Sequence, residues 1–389
     1  MEKNKYFLED HEEKVLSTRE ELQELLEYRD KNDIRVFPNV NECACVGIDV
    51  NTNKEMASDV AKMEVETNIF NTGLNSDTKL LLVFPKDFVP VIYPVRYTAM
   101  MDIEGRAGLY GRTIECTEAK SNSNIQVLPA LLRGQFLSTG MSLNGNSSCI
   151  LIRDGKVSAM KSHKYQVLTE MEMIEVLENH MKNDFPDFQY RTGAVSHAFL
   201  SCEYLFNATD MEESLKFRLE ELGKNISSLR AGLIFTTSDV GTSSVAASPF
   251  IIIDGLRVRF GNRVSVRHDC GNSPEDFAEV LKGVAVSLTE AEDRIEELGN
   301  TEIKNPYDCF MNIVDKYDFP KRDAKTIASQ LEVNFPSGCD AIDIYISLNE
   351  FVEAKSNANA SVENLLKMQE SIGRLLYIDY TEYDKEYTK

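Results

Sequence analysis

Gly232 to His268 holds most of the residues whose types and spacing could do chemistry in this 389-residue chain. Its first half is a run of hydroxyls around one carboxylate and one glycine: Thr237, Ser238, Asp239, Val240, Gly241, Thr242, Ser243 and Ser244. Ser238 and Asp239, with His268 further on, are the residue types of a nucleophile relay, in which a base takes the hydroxyl proton and a carboxylate orients the base. Adjacent residues on a strand point to opposite faces, however, and no G-x-S-x-G elbow occurs, so no catalytic residue is assigned. Asp239 is expected to shape the turn instead, its carboxylate accepting the N–H groups of Gly241 and Thr242.

The second half is studded with cations: Arg257, Arg259, Arg263, Arg267 and His268. Leu256, Val258, Phe260, Val264 and Val266 share one parity of position and Arg257, Arg259, Ser265 and Arg267 the other. A hairpin with a three-residue loop, Gly261 to Arg263, keeps the faces unmixed by pairing Phe260 with Val264 and Val258 with Val266. That register sets Arg257 opposite Arg267 and Arg259 beside Ser265, and like charges directly opposite repel unless something neutralises them. Carboxylates of the chain, solvent, or an external anion such as a nucleic-acid phosphate could do so.

Elsewhere the signals are weaker. Glu104 to Arg112 carries Gly105, Gly108 and Gly111 beside Arg106, but this spacing fits neither a P-loop nor a dinucleotide fingerprint, so a loop with close backbone approach is expected. The histidines, His11, His163, His180, His197 and His268, never fall at ligand spacing. No metal and no cofactor is expected.

Composition narrows the classes. A net charge of −21 argues against a protein that coats duplex DNA indiscriminately, but it leaves room for a local basic groove. No apolar run approaches the roughly 18–20 residues of a membrane span, and the first residues lack the apolar core of a signal peptide. A cytoplasmic location follows as the expectation. The 8 cysteines are scattered without a C-x-x-C and are read as reduced, mostly buried thiols.

The elements that position these residues suggest α+β: an antiparallel, hairpin-built sheet with flanking helices and a helical C-terminal part. Three regions are expected: an irregular N-terminal region over 1–135 with an amphipathic helix, a β-rich core over 136–270 and a helical region over 271–389. The helix starts at a capping box, Ser17 to Glu20, and buries Leu22, Leu25 and Leu26. Pro85, Pro90 and Pro94 bound short apolar runs suited to edge strands and turns. Cys149 to Met160 reads as a hairpin turning at Asp154-Gly155, with Ile152 facing Val157 and Ile150 facing Ala159. A short strand, Gln166 to Leu168, leads to a helix capped by Thr169 and Glu172 that buries Met171, Ile174, Leu177 and Met181. Strands around Ala198–Leu205 and Leu233–Phe235 continue the sheet. A capped helical segment runs from Ser273 to Gly299, further helices follow from Pro306, and the tail from Tyr380 is expected to pack poorly.

Two stretches carry a resemblance. Leu151 to Tyr165, reading LIRDGKVSAMKSHKY, resembles the RDGKVRAFLSDRY segment of a widespread family of phage- and plasmid-encoded proteins of unknown function. Gly232 to Ser244, followed by Ser248 to Ile251, is similar to the NSEVG-containing segment of the same family and the strand after it. The resemblance covers about residues 120–300 and makes Ser238, Asp239, Gly241 and Ser243 a signature turn. Asp239 stands where the family usually has Glu and Thr237 where it has Asn, and the family's Arg-x-Cys-x-Asn-Gly strand is not reproduced around Arg257 to Gly261. What the resemblance implies is a phage protein encoded among replication and recombination genes. The function expected is therefore a non-enzymatic phage protein that binds single-stranded nucleic acid, an oligomeric annealing or recombination accessory factor. Its phosphates would lie against Arg257, Arg259, Arg263, Arg267 and His268, with Tyr165 or Phe260 for stacking. The alternative is a protein-interaction role: a self-assembling phage component or an inhibitor of a host defence factor.

Overall fold

β-branched and aromatic runs form the strands of this chain and leucine-rich, acid-flanked stretches form its helices. The computed structural model describes residues 5–48, 78–109, 127–268, 271–357 and 362–388. The first part contributes β1 (Glu13–Leu16), α1 (Arg19–Asn32), β2 (Ile34–Val36), β3 (Ala44–Gly47), β4 (Leu80–Lys86), β5 (Val89–Pro94), α2 (Tyr97–Arg106) and α3 (Val127–Ser142). Next come β6 (Ser148–Arg153), β7 (Lys156–Ser162), α4 (Glu170–Asp184), β8 (Gln189–Ser196), β9 (Leu200–Phe206), α5 (Thr209–Glu221), β10 (Leu229–Thr237), β11 (Val245–Ile253), β12 (Leu256–Arg259) and β13 (Val264–Val266). The C-terminal part is helical: α6 (Pro274–Leu281), α7 (Gly283–Gly299), α8 (Pro306–Lys316), α9 (Lys321–Asn334), α10 (Ala341–Asn357) and α11 (Val362–Leu375).

The fold is α+β, built around a curled antiparallel sheet in the order β1-β8-β9-β10-β11-β12, with β13 also on β11. One face of this sheet, carrying Cys202, Tyr204, Leu233, Phe235, Ile251 and Val258, packs with α1, α4 and the C-terminal helices into one core. A second core fills the space between the β3-β4-β5 sheet, α2, α3 and the β6-β7 hairpin, with Leu80, Leu82, Phe84, Tyr93, Ile103, Ile150 and Val157 in it. Pro85 faces Pro90 near the β4-β5 turn, and Pro94 ends the edge strand β5, where a missing donor costs least. Among the described residues no helix is long and apolar enough to cross a membrane.

Local differences from expectation have local causes. The cap of α1 is Thr18, not Ser17: its hydroxyl accepts the Glu21 N–H at 3.2 Å and the Glu21 carboxylate accepts the Ser17 N–H at 2.7 Å. Leu22, Leu25 and Leu26 are buried as expected. In the β6-β7 hairpin Ile152 faces Val157, but a bulge places Ile150 opposite Met160 instead of Ala159. The bulge keeps Ile150, Ile152, Val157 and Met160 in one core, while Leu151 and Ala159 pack on Ala198 and Val240. Gln166 to Leu168 is not a strand; the Gln166 N–H reaches only the His268 carbonyl, at 3.2 Å. Thr169 and Glu172 do cap α4, whose buried stripe runs through Met173 where Met171 was expected.

Gly105 lies within α2, and an added Cβ there or at Gly108 would meet nothing within 4 Å, so the close-approach loop is absent at these two positions; Arg112 lies outside the described residues. The segment from Ser273 to Gly299 breaks at Lys282 into α6 and α7. The tail is packed, with Tyr380 buried and Asp384 accepting the N–H groups of Lys304 and Asn305 at 2.9 and 2.8 Å.

The largest correction concerns the arginine-bearing segment. β12 and β13 do not pair with each other. Val258 faces Ile251 and Val266 faces Val245, so both pieces lie along β11 as one interrupted edge strand. The hairpin turn is Asp254-Gly255, with φ of 47° and 89°, a sequence signal that outranks the Gly261-Asn262 pair. The cause of the interruption is Pro249, which has no N–H to give the ladder. Opposite Ser248 and Pro249 the outgoing strand arches through four residues, Phe260 to Arg263, and only the Phe260 N–H still reaches the Pro249 carbonyl, at 3.3 Å. Arg257 therefore does not stand opposite Arg267, nor Arg259 beside Ser265.

Gly261 makes the arch possible. Its φ is 98°, and a Cβ there would sit 2.6 Å from the Ser287 hydroxyl on α7. Gly261→Ala should cost about 1–2 kcal/mol from the backbone alone, read as a lower urea midpoint at unchanged m-value. An unchanged midpoint would show that the arch does not depend on this conformation.

Candidate nucleic-acid interface

The signature turn is shaped by Ser238 and not, as expected, by Asp239. The buried Ser238 hydroxyl donates to the Ala198 carbonyl at 2.6 Å and accepts the Thr242 N–H at 3.0 Å, and the Gly241 N–H bonds to the Ser238 carbonyl at 2.9 Å. Gly241 takes a φ of 68°, and a Cβ on it would press on Lys161 and Tyr165. Ser243 is half-buried in the bend that follows.

Asp239 is thereby released to face a set of buried cations. Its Oδ2 accepts from Arg153 at 2.9 Å and from Arg35 at 3.3 Å. Arg153 also forks onto Asp33 at 2.6 and 3.0 Å and donates to the His197 carbonyl at 3.0 Å. Arg29 binds Glu170 at 2.5 Å and the Ser196 carbonyl at 2.6 Å. Next to this group Arg96 reaches Asp10 at 2.7 Å and Asp154 at 3.4 Å, while Lys156 reaches Glu9 at 3.0 Å. The β6-β7 hairpin and the β10-β11 turn thus touch each other, through Arg153 and Asp239. None of Arg29, Arg35, Asp33, Arg153 or Glu170 was singled out from sequence. The available signal was an arginine closing the otherwise apolar strand β6.

The cations of the sheet edge divide by how they are neutralised. Arg257 and Arg259 share the face opposite Val258; Arg257 pairs with Glu203 at 2.7 Å and lies 5.5 Å from the Phe250 ring centre. Arg259 is buried, and its only side-chain partner among the described residues is Gln369 Oε1, at 3.3 Å. Arg263 donates to the Ser244 hydroxyl at 2.7 Å and lies 3.9 Å from Glu370, which also holds Arg374 at 3.1 Å. Arg267 is exposed and makes no ion pair among the described residues. Burial, and after it the charge of Arg257, pushes the Arg259 guanidinium down to about 10.

The aromatic part of the expected interface is occupied. Tyr165 stacks on His268 with ring centres 5.2 Å apart, and its hydroxyl donates to the Asp239 carbonyl at 3.1 Å. Phe260 is fully buried in the main core, so it cannot stack on a base. Asn349, Gln369, Glu370 and Arg374, which the sequence did not flag, frame the arginines from α10 and α11.

No family model matches the chain, and neither a curated protein nor a solved structure matches it.

Two buried groups of the junction titrate with opposite effects. Burial, then Glu170, pushes the Asp239 carboxyl up to about 7, whereas the unfolded chain loses that proton near ~3.9. The folded state holds the extra proton in between, so Asp239 makes the fold less stable as pH rises through that window. Burial, then Arg96 and Arg153, pushes His197 down to about 3, whereas the unfolded histidine is charged below ~6.5. His197 therefore makes the fold more stable as pH rises. The two contributions oppose each other between roughly pH 4 and 6.5. Asp239→Asn should give a pH slope of stability more positive than wild type there, and His197→Gln a more negative one, by up to about 1.4 kcal/mol per pH unit. Urea unfolding across that range decides; equal slopes in all three proteins would reject the assignment.

Proposed function

We propose that this chain is a non-enzymatic protein that binds single-stranded nucleic acid along the β12-β13 edge where it meets α11. The observation that carries this is Arg259, a buried cation that no carboxylate pairs among the described residues. Arg263, Arg267 and Arg374 continue the positive charge toward solvent. Buried cations without an anion are unfavourable, so a phosphate that enters this edge gains more than one that lands on a solvated lysine.

With Tyr165 paired to His268 and Phe260 buried, contact rests on phosphates and not on base stacking. Binding of that kind is independent of sequence and falls steeply with salt. Each copy offers only a short edge, so an oligomer that lines up several edges fits an annealing or recombination accessory role. The resemblance to phage- and plasmid-encoded proteins supports the same role and a place in the host cytoplasm. Support for a protein-interaction role comes from exposed apolar residues of the first part: Phe88 at the β4-β5 turn and Tyr97 and Met101 one helical turn apart on α2.

Fluorescence anisotropy with a labelled oligothymidine should show a linear fall of log K with log salt. Arg263→Gln and Arg267→Gln should each lower that slope by about 0.7–1 while weakening binding. No binding of any single strand at low salt would discard the proposal.

A further inference from the structure

Arg259 is held as a binding group is held. Its N–H donates to Asn349 Oδ1 at 2.9 Å and its carbonyl accepts the Tyr345 hydroxyl at 2.6 Å, so α10 fixes both backbone groups of this residue. The residue is 6% exposed, yet the guanidinium Nε and Nη1 have no hydrogen-bond partner among the described residues. Of the carboxylates near it, Glu203 is engaged by Arg257 and Glu370 by Arg374, while Glu353 lines the narrow gap beside Arg259 without an ion pair to it. Beside Arg259 lies a cavity of about 70 Å³ whose lining includes Ser248, Asn262, Arg263, Gln369 and Arg374. The cavity lies where the outgoing strand arches past Pro249.

We propose that this cavity is a phosphate subsite. Arg259 lines the cavity with two unpaired donors that are covered until its side chain turns toward the anion, and Arg263 and Arg374 close over the anion once Glu370 gives them up. Three guanidiniums less one carboxylate leave a charge of about +2, which suits a phosphoryl dianion better than a carboxylate or a halide. The inference rests on the nucleic-acid reading only for the source of the phosphate, which is either a free or terminal phosphate or a phosphodiester of the strand.

Calorimetric titration of the full chain with inorganic phosphate, at low salt, tests the site. Wild type should bind one phosphate per chain. Glu370→Gln should bind it about five- to ten-fold tighter, because the internal competitor is gone. Arg259→Gln should lose about ten-fold or more, and because this buried position can affect folding, the Glu370 variant, altered near the surface, carries the decision. A Glu370→Gln protein that binds phosphate no tighter than wild type, or no saturable binding by either, overturns the subsite. Competition with thymidine oligomers, with and without a 5′-phosphate, separates the sources. If phosphate binds and no oligomer displaces it, the subsite stands and the nucleic-acid reading falls. Should oligomers bind alike to both proteins while neither protein binds inorganic phosphate, the reading stands and the subsite falls.

Discussion

The guanidinium of Arg153 is enclosed between the β6-β7 hairpin and the main sheet, with almost none of its surface exposed. A cation in that position needs anions fixed by the fold, because removing one partner of a buried pair costs about 3–5 kcal/mol. The chain supplies carboxyl groups from two places far apart in sequence: Asp33, at the end of α1, and Asp239, in the β10-β11 turn, which becomes an anion only as pH rises through about 7. The same guanidinium takes the His197 carbonyl in the β8-β9 connection. One side chain thus ties the first helix, the second core and two turns of the main sheet into a single arrangement. Ser238 completes it by fixing the turn through the Ala198 carbonyl, which leaves the Asp239 side chain free to point at Arg153.

From this follows the character of the signature residues. Read along the chain, Arg153-Asp154-Gly155-Lys156 is only a hairpin turn flanked by two cations. In space, Arg153 is saturated by carboxylates, Asp154 accepts the Tyr28 hydroxyl at 2.7 Å, Gly155 makes the turn and Lys156 meets Glu9. The network leaves Asp239 Oδ1 and Arg96 Nε without a hydrogen-bond partner among the described residues, and its paired groups hold the fold to one geometry. Pro249, on the strand that follows the Asp239 turn, lies where the edge strand is interrupted.

How far the residues announced this depends on whether the governing interaction was local. Caps at Thr169 and Ser273, the Asp154-Gly155 turn, and the buried Leu22, Leu25 and Leu26 were legible, since each rests on neighbours within a few positions. The arginine hairpin was misread because parity alone cannot tell pairing with the next strand from pairing with the previous one; Pro249 and the Asp254-Gly255 turn held the answer a few residues upstream. The junction was illegible. Arg153 and Asp33 are separated by 120 positions and Arg153 and Asp239 by 86, and no local pattern marks a charge that will be buried. Likewise Gln369 and Asn349 reach Arg259 from 110 and 90 positions away.

The contrast between the two buried arginine sites is what gives the edge its meaning. Both guanidiniums are taken out of water, and desolvation acts on both. Arg153 is answered by two carboxylates, so burial there is spent on holding the fold together, and its charge is held well above the ordinary range by Asp33 and Glu170 despite desolvation. Arg259 receives one amide oxygen, and burial together with Arg257 pulls it down. A chain with 63 acidic residues has carboxylates near Arg259, yet none among the described residues forms an ion pair with it. What remains there is a fixed, dehydrated cation next to an open cavity, which is the physical condition for taking an anion from outside.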